Sequence, residues 1–513
     1  MKPLPRKRFV LLAFVTLAAG LRADVTPAAL FTDGAVLQRD RPVAIWGKAD
    51  RGEKVSVSFA GQKRETTAGP DGRWLVHLDP LTMAKEGGEL IIAGRNTISM
   101  RDIVVGDVWL CSGQSNMEFA VSRATNGAQE AAAANYPLLR HVAVARTVAD
   151  SAGNDVKTTG WKAATPADTA AFTAVGYFFA RDIHLRTGVP IGLVHSSWGG
   201  TPIESWLSAD ALASDSAYGV VAERWRQMLA EYPAAKPRHE TALAEWSTAE
   251  AAAKAQGAAA HAAFLKKNVR PRAPRGPGDP WTPSGLFNGM IAPLVPYGLR
   301  GILWYQGESN APRAQEYHAL FKTLITTWRE QFGQPELPFY WVSLANFKPT
   351  DDVTGRTYAF LREAQTAALE LPETGQAIAI DVGDPNDIHP TNKQEVGRRL
   401  ALLARKRLYG MTVDDTGPTF ERATREGATL RVRFTHVTTG LIAVDRPPPA
   451  LEIAGADRVF HRAVGRIDRD TLIVSAPKVP EPVAVRYAWE NAPDANLYNG
   501  AGLPAVPFRS DNW

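Results

Sequence analysis

The chain has 513 residues, too many for one ordinary core, so about two to four domains are expected. Hydrophobic residues make up 45% and charged residues 22%, a soluble globular composition with enough apolar side chains for large cores. The formal net charge of +5 arises at the N-terminus, where residues 1–23 carry Lys2, Arg6, Lys7, Arg8 and Arg22 and no acid. The rest of the chain is balanced, with no electrostatic footprint for nucleic acid or an anionic membrane.

That basic start leads into the apolar stretch Phe9 to Ala19, with small residues up to Ala23. The pattern is that of a secretory signal peptide cleaved after Ala23, and it implies a periplasmic or secreted protein. The stretch is shorter than the ~20 residues of a spanning helix, so no membrane span is expected. The single cysteine, Cys111, forbids an internal disulfide and is expected in a core rather than as a nucleophile.

From residue 24 to 103 short apolar runs such as Val43 to Gly47, Val55 to Phe59 and Trp74 to Leu78 alternate with turn residues. A small β-sandwich is predicted there. From 104 to 410 strand-like runs alternate with amphipathic helices. Strands are predicted at Val104 to Cys111, Pro190 to His195, Gly301 to Tyr305, Pro338 to Leu344 and Ala377 to Val382. Helices are predicted over Tyr177 to Arg186, Tyr317 to Phe332 and from Asn392 onwards. The alternation predicts an α/β domain, a parallel sheet with helices on both faces, whose ligands bind beyond the carboxyl ends of the strands. Residues 208–281, rich in Ala and Glu, are expected as a helical insertion. Residues 411–513 return to β patterning and are expected as a C-terminal β domain.

Four blocks carry the chemistry. Gly113-Gln114-Ser115-Asn116-Met117 follows the first strand of the α/β region, so that a serine sits where a strand turns towards a helix and its hydroxyl can be exposed. Ser197 to Trp206 contains Trp198-Gly199-Gly200-Thr201-Pro202. Trp304-Tyr305-Gln306-Gly307-Glu308-Ser309-Asn310 closes a third strand, and Asp384 to Pro390 places His389 late in the chain.

In this order the blocks resemble those of the SGNH (GDSL) hydrolase superfamily, and within it the sialate O-acetylesterase and carbohydrate acetylesterase group. The likeness runs from about Phe31 to the C-terminus and is weakest across 208–281. It implies a secreted carbohydrate O-acetylesterase acting through a serine acyl-enzyme, with an acetylated sugar (sialic acid or a xylan-type glycan) as substrate. No cofactor and no metal are expected, since the chain has no His-rich ligand cluster, dinucleotide fingerprint or phosphate loop. The alternatives are a non-catalytic carbohydrate-binding protein and an SGNH esterase or lipase acting on other esters.

Ser115 is the expected nucleophile and His389 its base. Many SGNH esterases place an aspartate three residues before the histidine, where this chain has Asn386. Asp387 is one candidate for the acid that orients His389. Glu308 is the other, implied by related acetylxylan esterases, with Asp384 in reserve. The Ser115 N–H and that of Gly199 or Gly200 are expected to bind the oxyanion, with Gln306 or Asn310 as a third donor and Gln114 and Trp198 lining the site. Trp206, Trp281 and Trp304 flank the same blocks, and Trp304, inside a strand, is expected in the core.

Overall fold

The protein is described here by a computed structural model covering residues 24–513; the expected signal segment, residues 1–23, lies outside the described residues. In the N-terminal region Lys54–Phe59 buries Val55, Val57 and Phe59, and Arg73–Leu78 buries Trp74, Val76 and Leu78. This period of two presents one face of each strand to a core. The pairings are antiparallel: Val43–Lys48 with Arg73–Leu78, and Lys54–Phe59 with both Gln62–Thr67 and Ala84–Ala93.

Strand β1, Thr97–Gly113, is 17 residues long and serves two regions. Its first part pairs with Ala84–Ala93 and Val36–Gln38, and its second part lies in the central sheet. The boundary expected between residues 103 and 104 therefore falls inside one strand. The change in patterning there marks a change of neighbours along a continuous backbone.

The central sheet comprises β1, β2 (Tyr136–Ala143), β3 (Lys162–Ala164), β4 (Ile191–Ser197), β5 (Gly301–Tyr305), β6 (Phe339–Val342) and β7 (Thr374–Ala377). Their order is β3-β2-β4-β1-β5-β6-β7, parallel throughout except for the antiparallel edge strand β3. Strands β2 and β3 were not among the predicted ones. Arg140 and His141 interrupt the apolar run of β2, yet both are buried: Arg140 Nη1 donates to Gly34 O at 2.9 Å, and His141 stacks on Phe172 at 4.5 Å.

Side chains alternate across the sheet. Trp109 points to one face and meets Phe179 of α2 (Ala174–Thr187) edge-on at 4.7 Å, while Trp304 points to the other and meets Trp328 of α4 (Ala314–Gln331) at 5.6 Å. On the first face α2 packs against α6 (Lys393–Arg407), and on the second α4 packs against α5 (Thr357–Thr366). The result is a mixed α/β domain with helices on both faces of its sheet. Trp304 and Cys111 are both fully buried. The insertion holds a 37-residue helix α3, Gly219–Ala255, which buries only Val221 and Ala253.

The predicted strand at Ala377 to Val382 is shifted. β7 ends at Ala377, and Ile378 and Ile380 leave the sheet to join the C-terminal core with Leu430, Val432, Leu451 and Tyr487. An apolar run announces burial but not which core receives it. That C-terminal region holds two antiparallel four-stranded sheets: Thr419–Glu426, Thr429–Thr435, Val464–Asp468 and Thr471–Ser475, and Leu451–Ala454, Phe460–Arg462, Ala484–Tyr487 and Phe508–Arg509. Among the described residues no helix is long and apolar enough to cross a membrane.

Candidate active site

Ser115 owes its placement to a glycine. Gly113 ends β1 at φ +130°, and a Cβ there would lie 2.2 Å from Tyr305 O, so no other residue lets the strand end tuck against β5. Gln114 N–H then donates to Tyr305 O at 2.9 Å, and Ser115 opens the short helix α1, Ser115–Glu118. As the first helical residue, Ser115 has no intrahelical partner for its own N–H.

His389 reaches the same point from the loop before α6. Asp384 Oδ1 accepts from Asn386 N–H at 2.8 Å and Asp387 Oδ1 from His389 N–H at 2.9 Å, two carboxylates each turning the chain two residues on. The His389 Nε2 atom lies 2.8 Å from Ser115 Oγ, within reach for proton transfer. Burial holds the imidazole below its ordinary value; Lys393 and Arg123 push the same way and Asp387 opposes them.

The two candidate acids occupy different places. Asp387 is exposed, and its Oδ1 lies 3.7 Å from His389 Nδ1, beyond direct hydrogen-bond distance. Glu308 has an enclosed carboxylate and no hydrogen bond to His389. Its Oε1 accepts from Asn116 Nδ2 at 2.6 Å, and its Oε2 is buried without a partner. Burial raises the Glu308 carboxyl above its usual range, while the Asn116 amide and the Lys393 charge oppose that. The same Asn116 Nδ2 donates to Ile388 O at 3.0 Å, and so touches the residue before His389. Asp384 is exposed and spent on its turn.

The expected oxyanion donors are partly engaged. Gly199 lies against Ser115, since a Cβ on it would be 3.1 Å from Ser115 Cβ, but its N–H donates to Glu118 Oε2 at 2.8 Å. Glu118 is also ion-paired with Arg146, whose guanidinium sits 5.6 Å from the Trp198 ring centroid. Gly200 is exposed, and its carbonyl accepts from Trp281 Nε1 at 2.8 Å.

Gln306 and Asn310 turn inward rather than to the serine. Asn310 Oδ1 accepts from Gln306 Nε2 at 2.8 Å and Ile203 N–H at 2.9 Å, while its Nδ2 donates to Glu204 Oε2 at 2.8 Å. With both amides buried and so employed, they bind the second block to the third. Gln114 is a clamp as well, its Oε1 accepting from Gly307 N–H at 3.3 Å and Ser309 N–H at 3.4 Å.

A family model described as carbohydrate esterase, sialic acid-specific acetylesterase, matches residues 105–246 and 281–406. The chain belongs to that family. The matched segments contain every residue of the Ser115–His389 constellation, and the gap between them falls in the helical insertion. A sialate O-acetylesterase of Rattus norvegicus is 32% identical across 99% of this chain and 98% of its own. The Homo sapiens sialate O-acetylesterase is 30% identical, over 94% of this chain and 91% of its own. Among solved structures, a carbohydrate acetylesterase from Xanthomonas citri is 38% identical, covers 95% of this chain and 100% of its own, and superposes with a TM-score of 0.80.

Sequence reasoning missed Asn116, Glu118, Lys393, Glu204, Arg123 and Arg146. Two left a signal. Lys393 opens a helix, where the helix dipole disfavours a cation, and Glu204 stands between the large apolar residues Ile203 and Trp206.

Proposed function

We propose that this carbohydrate esterase removes acetyl groups from O-acetylated sialic acid through a serine acyl-enzyme, after export directed by residues 1–23. The observation that carries the mechanism is the 2.8 Å approach of His389 Nε2 to Ser115 Oγ. As Ser115 Oγ bonds to the acetyl carbon, His389 takes its proton. Collapse of the tetrahedral adduct expels the sugar oxygen, which receives that proton, and leaves the acetyl group on Ser115. Water then attacks with His389 again as base, releasing acetate.

The developing oxyanion would be met by the Ser115 N–H and by a glycine N–H of the Trp198-Gly199-Gly200 turn. Use of Gly199 requires Glu118 to move aside. Asp387 is the carboxylate nearest the imidazole and would stabilise its charged form. Glu308 would act one step removed, through Asn116 and the Ile388 carbonyl.

Two guanidiniums favour an acidic sugar over a neutral, xylan-type one. Arg146 is half-exposed beside Trp198 and ion-paired with Glu118, so it becomes available when Glu118 moves aside to free the Gly199 N–H. Arg123 is exposed 4.3 Å from the Phe119 ring centroid, and that ring stacks beside His389 at 6.4 Å. A sugar carboxylate reaching this rim would find cations already in place.

The test is acetate release from O-acetylated sialic acid and from acetylated xylan by the wild type and by Ser115→Ala. The variant is expected to lose roughly 10⁴-fold or more in turnover with its melting temperature unchanged. Near-normal turnover in folded Ser115→Ala would remove the mechanism, and a preference for the neutral glycan would remove the substrate. Export is tested separately, by recovery of a mature chain beginning at Asp24 outside the cytoplasm.

A further inference from the structure

Beneath the Ser115–His389 pair lies a buried polar chain that the mechanism above does not use directly. Lys393 has no exposed surface. Its Nζ donates to Asn116 Oδ1 at 2.5 Å and sits between two aromatic faces, 4.8 Å from the Phe119 ring centroid and 5.2 Å from that of Tyr305. Asn116, the residue after Ser115, passes the contact on to Glu308 Oε1 and Ile388 O.

We propose that Lys393 is a positioning residue of the acyl-transfer site, holding Asn116 in the one orientation that ties Glu308 and the carbonyl before His389 to the nucleophile's own helix. The inference rests on the Ser115–His389 reading above.

Three physical arguments support it. An ammonium group has only donors, so it fixes which end of the Asn116 amide faces it and leaves Nδ2 to serve the carboxylate and the Ile388 carbonyl. An ammonium taken out of water is costly unless paired and hydrogen-bonded, and the first turn of a helix is an unfavourable place for it. Such a placement persists where the group does something there. Third, Lys393 couples both loops of the pair, since α6 begins four residues after His389 while Asn116 adjoins Ser115.

The charged groups facing Lys393 are Glu308, Asp387 and Arg123, and burial pushes its ammonium down to about 7. Asp387, Lys393 and Arg123 are those facing His389, and Lys393 is one of the two that lower it.

The experiment is Lys393→Met in the full chain, with kcat and kcat/KM followed from pH 4 to 9 on p-nitrophenyl acetate. A fall in kcat of about tenfold or more is expected from a misplaced imidazole. The KM should stay within about threefold, because no substrate contact is lost. The acid limb of kcat/KM should also move to higher pH, since a cation near His389 is gone; that shift reports the charge, while the fall in kcat at unchanged KM reports the positioning. Lys393→Met leaves Glu308 buried without its balancing charge, so Lys393→Met/Glu308→Gln is measured beside it as a variant with neither charge. Because the residues act as a unit, the double variant should lose no more than the worse single one.

Wild-type kcat in Lys393→Met, whatever the acid limb does, or multiplicative losses in the double variant, would overturn the proposal. Activity persisting in Ser115→Ala would instead remove the reading beneath it, so the two failures are distinguishable.

Discussion

At the scale of single residues, the pH dependence follows from the surroundings of His389. On the proposed mechanism His389 must be neutral to accept a proton, and burial lowers its folded value below the ordinary 6.5. Activity is therefore expected to persist through pH 6.5 and to fall at lower pH, as the imidazole takes up a proton. A kcat/KM profile on stable protein checks this, and an acid limb above 6.5 would contradict the burial argument. The orienting acid is separable by substitution. Asp387→Asn removes the charge nearest Nδ1 and should lower the acid limb further as well as kcat. Glu308→Gln keeps the size of a group that does not touch the ring, so its effect should appear in kcat with little movement of that limb. At the rim, Arg123→Ala should raise KM for acetylated sialic acid and leave p-nitrophenyl acetate, which has no carboxylate, within about twofold.

Secondary-structure elements place these residues, and their ends matter more than their middles. Gly113 lets β1 finish against Tyr305 O, and Gly307, at φ +152° with Leu361 Cδ2 only 2.5 Å from where a Cβ would sit, does the same after β5. A methyl group at residue 113 has backbone, not a flexible side chain, to displace. Gly113→Ala is expected to destabilise the protein by about 2 kcal/mol or more and to reduce kcat of the folded fraction, measured by denaturant titration and active-site labelling together. At the start of α6, Asn392 Oδ1 accepts from Glu395 N–H at 3.2 Å. Asn392→Ala should cost about 1 kcal/mol and loosen the very turn that presents Lys393 and His389. Helices α2, α4 and α6 were placed within a few residues from sequence, because tertiary packing agrees with their period and stop residues, whereas α5 was not predicted although it buries Tyr358, Leu361 and Ala364 along one stripe. β2 was not, because its buried Arg140 and His141 answer to partners far along the chain.

Over the whole molecule, the C-terminal region is part of the catalytic domain's support. Arg362 is buried, and its guanidinium donates to Leu344 O at 2.7 Å, Glu490 O at 2.8 Å and Asn491 O at 2.8 Å. A chain ending at Gly410 would lose the last two acceptors and expose Ile378 and Ile380, so it is expected to aggregate or to melt well below the full protein in a thermal scan. Soluble, active 24–410 protein would show that the interface is dispensable. Much of the organisation needed only local information. The strand–helix alternation, the burial of Trp304 and Cys111 and the β-rich ends follow from apolar period and turn residues, and block order made Ser115 and His389 the candidates that the fold brings within 2.8 Å of each other. These signals are written within a few residues of where they act. What tertiary structure alone decided is who meets whom: that Gln306 and Asn310 spend their amides on Glu204, Ile203 and each other, that Glu118 holds the Gly199 N–H, and that Glu308 reaches Asn116 rather than His389. Each of those outcomes is a competition among polar groups for a limited number of buried partners. Chain folding brings the competitors together from positions up to 192 residues apart, and no local pattern can rank them.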